Sequence, residues 1–295
     1  MAILTGIGTS LKGSAGAWTY NKRGGLTIAK QKVDTKGQSP RTYAQMLRRV
    51  QWGNLVNIWQ AFRDANKPSF ENADRLRSDF NLFIRANIGS SGVYLKKDEV
   101  RFNGAVVSDY LVTEGSLPSI GLAANGNGVL VSDIDLGTVT IGSSTTVAAL
   151  STAIIASNGS RFMDGDKITC FVLKQVVDAS TGVATVQLLR SDFVIDTTDS
   201  DTLVRDTSTA ACFSNVGTKL GLSATVDGGA VYIHSRKSGA KTLVSTQRIV
   251  VTNTILATYQ TTTALNSAIV SYGGSLQVPY LTPDVNDIEA PVVNP

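Results

Sequence analysis

Apolar residues recur at helical spacing as far as about Asn87 and at strand spacing after Gly92, and this change of period most limits how the chain can fold. Tyr43, Met46, Leu47, Val50, Trp52, Leu55, Val56, Trp59 and Phe62 fall at mostly three- and four-residue steps, a stripe wide enough to bury one face of a helix reaching about Ala65. Ser39-Pro40 opens it, because a hydroxyl can accept a free first-turn N–H and proline has none to lose. Asn66-Lys67-Pro68-Ser69 stops the period and Asn72-Ala73-Asp74 restarts it. Leu76, Phe80, Phe83, Ile84 and Asn87 then share a face until Gly89-Ser90-Ser91-Gly92. Two helices on so short a link predict an antiparallel αα-hairpin over residues 38–92.

Upstream, residues 1–37 read as a glycine-rich basic arm ending in a β-hairpin. Ala17-Trp18-Thr19-Tyr20 and Leu26–Val33 have extended character, and Gly24-Gly25 supplies the backbone freedom for the turn between them. Gly6, Gly8, Gly13 and Gly16 leave the preceding run too flexible for a core strand, and it suits an arm that orders against a neighbour.

Downstream, residues 93–275 carry short strand-like runs bounded by Gly, Asn, Asp or Ser: 105–113, 128–132, 138–141, 167–177, 185–193, 229–235 and 246–251. Thr145-Thr146 and Thr261–Thr263 can cap two short helices, Val147–Ile155 and Ala264–Val270. The expected fold is α+β, mainly β: hairpin arm, αα-hairpin, then an antiparallel, Ig-like β-sandwich region with two short helices. Residues 276–295 hold four of the seven prolines and read as an extended tail that needs a surface to lie on.

Charge divides the chain. Residues 1–101 contain seventeen Lys and Arg against seven Asp and Glu, whereas residues 102–295 contain ten against sixteen, so balances of +10 and −6 underlie the net +4. Such opposition fits head-to-tail packing of copies, or a nucleic-acid surface on the first half.

Chemistry is sparse. The lone histidine, His234, cannot form a multi-histidine metal site, no Gly-x-Ser-x-Gly elbow accompanies it, and no phosphate-binding loop occurs. Asp164-Gly165-Asp166 and the group Asp192, Asp196, Asp199 and Asp201 lack the spacing of a calcium loop and read as solvated turn carboxylates. Cys170 and Cys212 sit in apolar, strand-like contexts as buried free thiols, with a disulfide left open. No catalytic residue, cofactor or metal is therefore expected, and the chain reads as non-enzymatic. No basic start leads into a long apolar run, and no window approaches the ~18 apolar residues of a membrane span, so a soluble, cytoplasmically made product is expected.

The Gly-rich start closing on Gly16-Ala17-Trp18, the basic hairpin, Ser39-Pro40-Arg41-Thr42 with Gln45, and Asn81–Asn87 resemble a domain family of unknown function found in gut and environmental bacteria and their crAss-like tailed phages. Val231-Tyr232-Ile233-His234-Ser235 and the run from Lys241 to Gln247 resemble that family's closing hairpin. Ser39 departs from the asparagine usual there. The resemblance implies a β-sandwich-containing protein, and its genomic setting leads to an expected place in a virion, made in the host cytoplasm. On that expectation the chain is a structural subunit, a ring or collar at the head-to-tail connector or tail. Its partners are copies of itself and neighbouring portal, ring, tail or capsid subunits, with non-specific contact to packaged DNA. Lys12, Trp18, Tyr20, Lys22, Arg23, Lys30, Lys32 and Arg41 would form the arm's interface, with Trp52, Trp59 and Phe62 as aromatic anchors on the first helix. The alternatives are a capsid-associated decoration protein, a monomeric surface- or glycan-binding sandwich module, and a nucleic-acid-binding protein using the basic segment.

Overall fold

A computed structural model describes residues 2–4, 13–15, 17–23, 26–31, 43–62, 70–74, 76–90 and 92–273. Lys12, Lys32, Ser39-Pro40, Arg41 and the tail from residue 274 lie outside the described residues. The fold is mixed α+β, mainly β, with several antiparallel sheets and seven helices among the described residues.

Four strands begin the chain: β1 (Ala2–Leu4), β2 (Gly13–Ala15), β3 (Trp18–Arg23) and β4 (Leu26–Gln31). They form an antiparallel sheet ordered β1-β4-β3-β2, with Trp18 opposite Gln31 and Arg23 opposite Leu26. The segments that the sequence pairs as a hairpin are thus the two central strands of a larger sheet.

Helix α1 (Tyr43–Phe62) uses its stripe along its whole length. Met46 and Val50 pack on Leu265, Ala268 and Ile269, whereas Leu55, Ile58 and Phe62 join a cluster with Phe171, Leu173, Val231 and Ile233. That cluster draws on residues from both sides of position 92, where the sequence divides the chain. Helix α2 (Asp79–Asn87) starts later than the sequence predicts. Asp74 folds back to accept from the N–H groups of Leu76 and Arg77 at 2.7 Å each, making a turn instead of a first helical turn. Ser78 then caps the helix by accepting from the Asn81 N–H. Phe80 touches both Trp52 and Trp59, and Phe83 also meets Trp59, so these rings join α1 to α2. The short helix α3 (Lys97–Arg101), which the sequence reading lacks, follows.

The expected strand over residues 105–113 is mostly absent: only β5 (Leu111–Thr113) is extended into a ladder. The rest is a buried apolar run whose peptide groups are satisfied by side-chain amides. Asn54 donates to the Val106 carbonyl at 3.0 Å and accepts from its N–H at 2.8 Å. Gln175 does the same across residues, donating to the Ala105 carbonyl and accepting from the Val107 N–H. Asn87 pairs both peptide groups of Leu111. An apolar run reads as a strand because strands bury such runs, but burial demands only that each N–H and C=O find a partner.

Strands β6 (Leu122–Ala124) and β7 (Leu130–Asp135) come next, the latter shifted from the expected 128–132. Residues 138–141 are not a strand, since Asn215 holds the Ile141 N–H and the Val139 carbonyl in place of a ladder. Helix α4 (Val147–Ser157) begins at its expected cap, Thr146, which accepts from the Ala149 N–H. The long pair β8 (Lys167–Val177) and β9 (Ala184–Val194) runs antiparallel through eleven registered pairs. Helix α5 (Val204–Thr207), β10 (Ser214–Val216) and β11 (Lys219–Gly221) lead to β12 (Gly228–Ser238) and β13 (Lys241–Val244). The expected strand at 246–251 is broken at Ile249 into β14 (Gln247–Arg248) and β15 (Val250–Val251). Helices α6 (Leu256–Tyr259) and α7 (Thr262–Ser271) close the described chain, and Thr261 caps α7 through the Ala264 N–H.

The central sheet is ordered β13-β12-β8-β9, with β15 also on β12. Ile168 through Leu173 are all buried because both faces are covered, which is why β8 reads as continuous apolar sequence. Phe171 and Leu173 meet the helical side, whereas Ile168, Cys170 and Val172 meet a cluster shared with β7, β11 and α4 from the sheet ordered β10-β11-β7-β6.

Candidate interaction surfaces

On the N-terminal sheet, alternation along β4 separates buried Thr27 and Ala29 from exposed Lys30. Trp18 is 47% exposed and Tyr20 is half-buried, while Lys22 and Arg23 lie in β3. Of the eight arm residues singled out from the sequence, Trp18, Tyr20, Lys22, Arg23 and Lys30 therefore belong to two adjacent strands.

The three aromatic anchors of α1 have different environments. Phe62 is fully buried, edge-on to Phe171 of β8 at 5.4 Å between ring centres, so it fastens α1 to the central sheet and presents nothing to a neighbour. Trp59 is partly buried between Phe80 and Phe83. Trp52 keeps 43% of its surface exposed despite its edge contact with Phe80, and of the three it alone offers a large apolar surface.

A buried polar cluster was missed from the sequence. Asp166 is no solvated turn carboxylate: it is 1% exposed, just before β8, and its Oδ2 accepts from the Met163 N–H at 2.9 Å. Arg236 grips it in a fork, Nε to Oδ1 and a terminal nitrogen to Oδ2, both at 2.7 Å. Nε2 of His234 lies 2.8 Å from Oδ2, its ring packs on Phe162, and its Nδ1 has no hydrogen-bond partner among the described residues. Burial alone would raise the Asp166 pKa, but the bonds from Arg236, His234 and Met163 outweigh it and hold the value down to about 2. The signal available in the sequence was the spacing His234-x-Arg236, which places both side chains on one face of a strand. With His234 and Asp166 shut from solvent, the cluster ties β12 to the turn before β8.

Cys170 and Cys212 are free thiols, both buried, and burial pushes the Cys170 thiol well above its ordinary range. The Tyr232 hydroxyl donates to the Cys212 carbonyl, closing that side of the core. Asp196 accepts from Thr198, and Asp192 from Thr169 beside Lys167 and Arg190. Among the described residues no three His, Cys, Asp or Glu side chains gather as a metal site, and no helix is long and apolar enough to cross a membrane.

Two grooves accompany these surfaces. One of about 270 Å³ lies between Tyr94, Lys96 and Glu99 on one side and Tyr259 and the start of α7 on the other. Another, of about 340 Å³, lies on the central sheet over Val172 and Leu189. No protein-family model, curated protein or solved structure matches this chain.

Proposed function

We propose that this chain is a non-enzymatic structural subunit of a tailed-phage virion, a ring or collar protein at the head-to-tail connector or tail. The observation that carries the proposal is the N-terminal sheet, in which a basic, aromatic hairpin presents Trp18 and Lys30 to solvent. Tryptophan is a residue type enriched at contact surfaces, and Lys30, on the opposite face of the sheet by register, is open to the acidic balance of residues 102–295 on another copy. Copies of the chain would then pack in one direction, basic sheet to acidic body, beside portal, ring, tail or capsid neighbours and against packaged DNA. The Ig-like sandwich belongs to the same proposal. Its support is the core shared by the two sheets, although helices cover the central sheet's other face.

The test is the mass of the full chain in solution against that of Lys30→Glu/Lys32→Glu. The wild type is expected to form a defined oligomer and the variant a folded monomer. Unchanged assembly would sink the arm's role.

A glycan-binding module is the second reading, favoured by Tyr94 and Tyr259 in the 270 Å³ groove. Oligosaccharide titration followed by tyrosine fluorescence tests it, and a response lost in Tyr259→Ala is the supporting result.

A further inference from the structure

Cys170 and Cys212 are both fully buried, yet they come from parts of the chain that only the fold brings together. Cys170 lies within β8, and Cys212 lies in the turn between α5 and β10. The two strands beside β8 hold that turn over Cys170. In the ladder Cys170 stands opposite Ser191 of β9 on one side and Tyr232 of β12 on the other, so the three side chains form a row on one face of the central sheet. The Ser191 hydroxyl accepts from the Thr209 N–H at 2.9 Å, and the Tyr232 hydroxyl donates to the Cys212 carbonyl. Both outer members of the row thus grip the turn, and the middle member lies beneath it. The turn also closes on itself, since the N–H groups of Cys212 and Phe213 both donate to the Thr209 carbonyl. Inside this clamp the Cys170 thiol donates a hydrogen bond to the Cys212 sulfur, and the Thr209 hydroxyl donates a second.

The two thiols are not equivalent. The hydrogen bond from Cys170, helped by Thr209, outweighs burial and draws the Cys212 thiol below its ordinary range, whereas burial pushes the Cys170 thiol up. Cys212 is also the nearer to solvent. Thr209, Ala210 and Ala211 immediately before it are exposed, while Cys170 sits on an interior strand paired on both sides. A sulfur favoured as thiolate, touching a second that keeps its proton, is the arrangement in which one takes an oxidant and the other resolves it.

We infer that Cys170 and Cys212 form a peroxide-sensitive pair, in which Cys212 is oxidised first and Cys170 then closes an internal disulfide. In the first step the Cys212 thiolate attacks one oxygen of hydrogen peroxide. The S–O bond forms, the O–O bond breaks, and the departing hydroxide leaves as water with the proton that Cys212 gave up. The sulfur loses two electrons and the peroxide gains them. In the second step the Cys170 sulfur attacks the Cys212 sulfur. The S–S bond forms, the S–O bond breaks, and hydroxide leaves as a second water with the Cys170 proton. The sum is two thiols and one peroxide giving one disulfide and two waters. The bridge encloses β9 and α5 in a covalent loop and fastens the central sheet to the turn that leads into the sheet containing β10. Such a loop restricts the unfolded chain, so oxidation locks the fold.

The test treats the full chain with a small excess of hydrogen peroxide under native conditions, then reads free thiols, intact mass and a peptide map. Wild type is expected to lose both thiols and two hydrogens, to retain no added oxygen, and to give a peptide linked through Cys170 and Cys212. Its melting temperature should rise by about 5 °C and return on reduction. In Cys170→Ala the reaction should stop at a sulfenic acid on Cys212, trapped with dimedone. In Cys212→Ser, Cys170 should react about 10-fold more slowly than Cys212 does in the first variant. Thiols that persist in the treated native wild type, or a bridge formed between chains, would overturn the pair. Equal reactivity of the two sulfurs in the variants would overturn the order of steps. The wild-type readings need neither variant to fold, and they concern single chains, so they stand or fall apart from the assembly reading.

Discussion

Asp166 and His234, 68 positions apart, meet with 2.8 Å between Oδ2 and Nε2 where both side chains are closed to solvent. Arg236 completes the contact, and the three join β12 to the turn that launches β8. Removing one member leaves the others buried without their partner, which is costlier than the pair's net worth. Asp166→Asn, close in shape, is expected to destabilise the fold by about 3–5 kcal/mol in chemical denaturation. A change under ~1 kcal/mol would mean that solvent reaches the site.

The same carboxylate sets an acid limit. Its folded pKa of about 2 lies below the ordinary 3.8, so the unfolded chain takes up the proton first as pH falls. The contribution is fully present above pH 4, fades between about 4 and 2, and amounts to about 2 kcal/mol. Stability measured from pH 6 to 2 should lose this increment in the wild type, and the loss should be absent from Asp166→Asn.

Phe62 and Trp52 separate packing from contact surface on one helix. Phe62→Ala opens a cavity against Phe171 and should cost about 3–5 kcal/mol. Trp52→Ala, at a half-open position, should cost about 1 kcal/mol or less in stability yet weaken self-association if the assembly reading holds. Urea melts and sedimentation of both variants distinguish the two effects.

Asn54 does the work of a neighbouring strand for Val106, and its Nδ2 also lies 2.6 Å from the Tyr110 hydroxyl. Asn54→Ala strands a buried N–H and a buried carbonyl, at about 1–3 kcal/mol for each group left unpaired. Asn54→Leu should fare no better, because the loss is of hydrogen bonds and not of volume. Equal stability of either variant with the wild type would argue that water takes the amide's place.

At Gly228, the first residue of β12, φ is +145° and an added Cβ would stand 1.9 Å from the Leu173 carbonyl oxygen of the neighbouring strand. At Gly239 φ is +59° and no atom lies within 4 Å of an added Cβ. Gly239→Ala should therefore cost about 1–2 kcal/mol for the left-handed backbone alone. Gly228→Ala should cost clearly more, read as a drop in melting temperature.

Local pattern was enough where an element's residues supply their own constraints. The β8 and β9 pair matches its apolar run within a residue or so, α4 and α7 start on the threonines that cap them, and α1 follows its stripe. It misled where the constraint came from elsewhere. Residues 105–110 read as a strand but take Asn54 and Gln175 as partners, and residues 138–141 take Asn215. Asp166 read as a solvated turn residue, yet it lies buried between His234 and Arg236.

Sequence by itself determined helices α1, α4 and α7 and the long strands β8 and β9, because side-chain period and caps act within a few residues. It also determined the opposition of charge between the two halves. Only the tertiary structure decided which of those stretches would share a core, that Phe62 would be shut in while Trp52 stayed in solvent, and that β9 would lie at the edge of its sheet. The physical reason is that a buried peptide group or carboxylate must be satisfied by whatever the fold brings to it, and the spacing of neighbours along the chain does not name a partner fifty or seventy residues away.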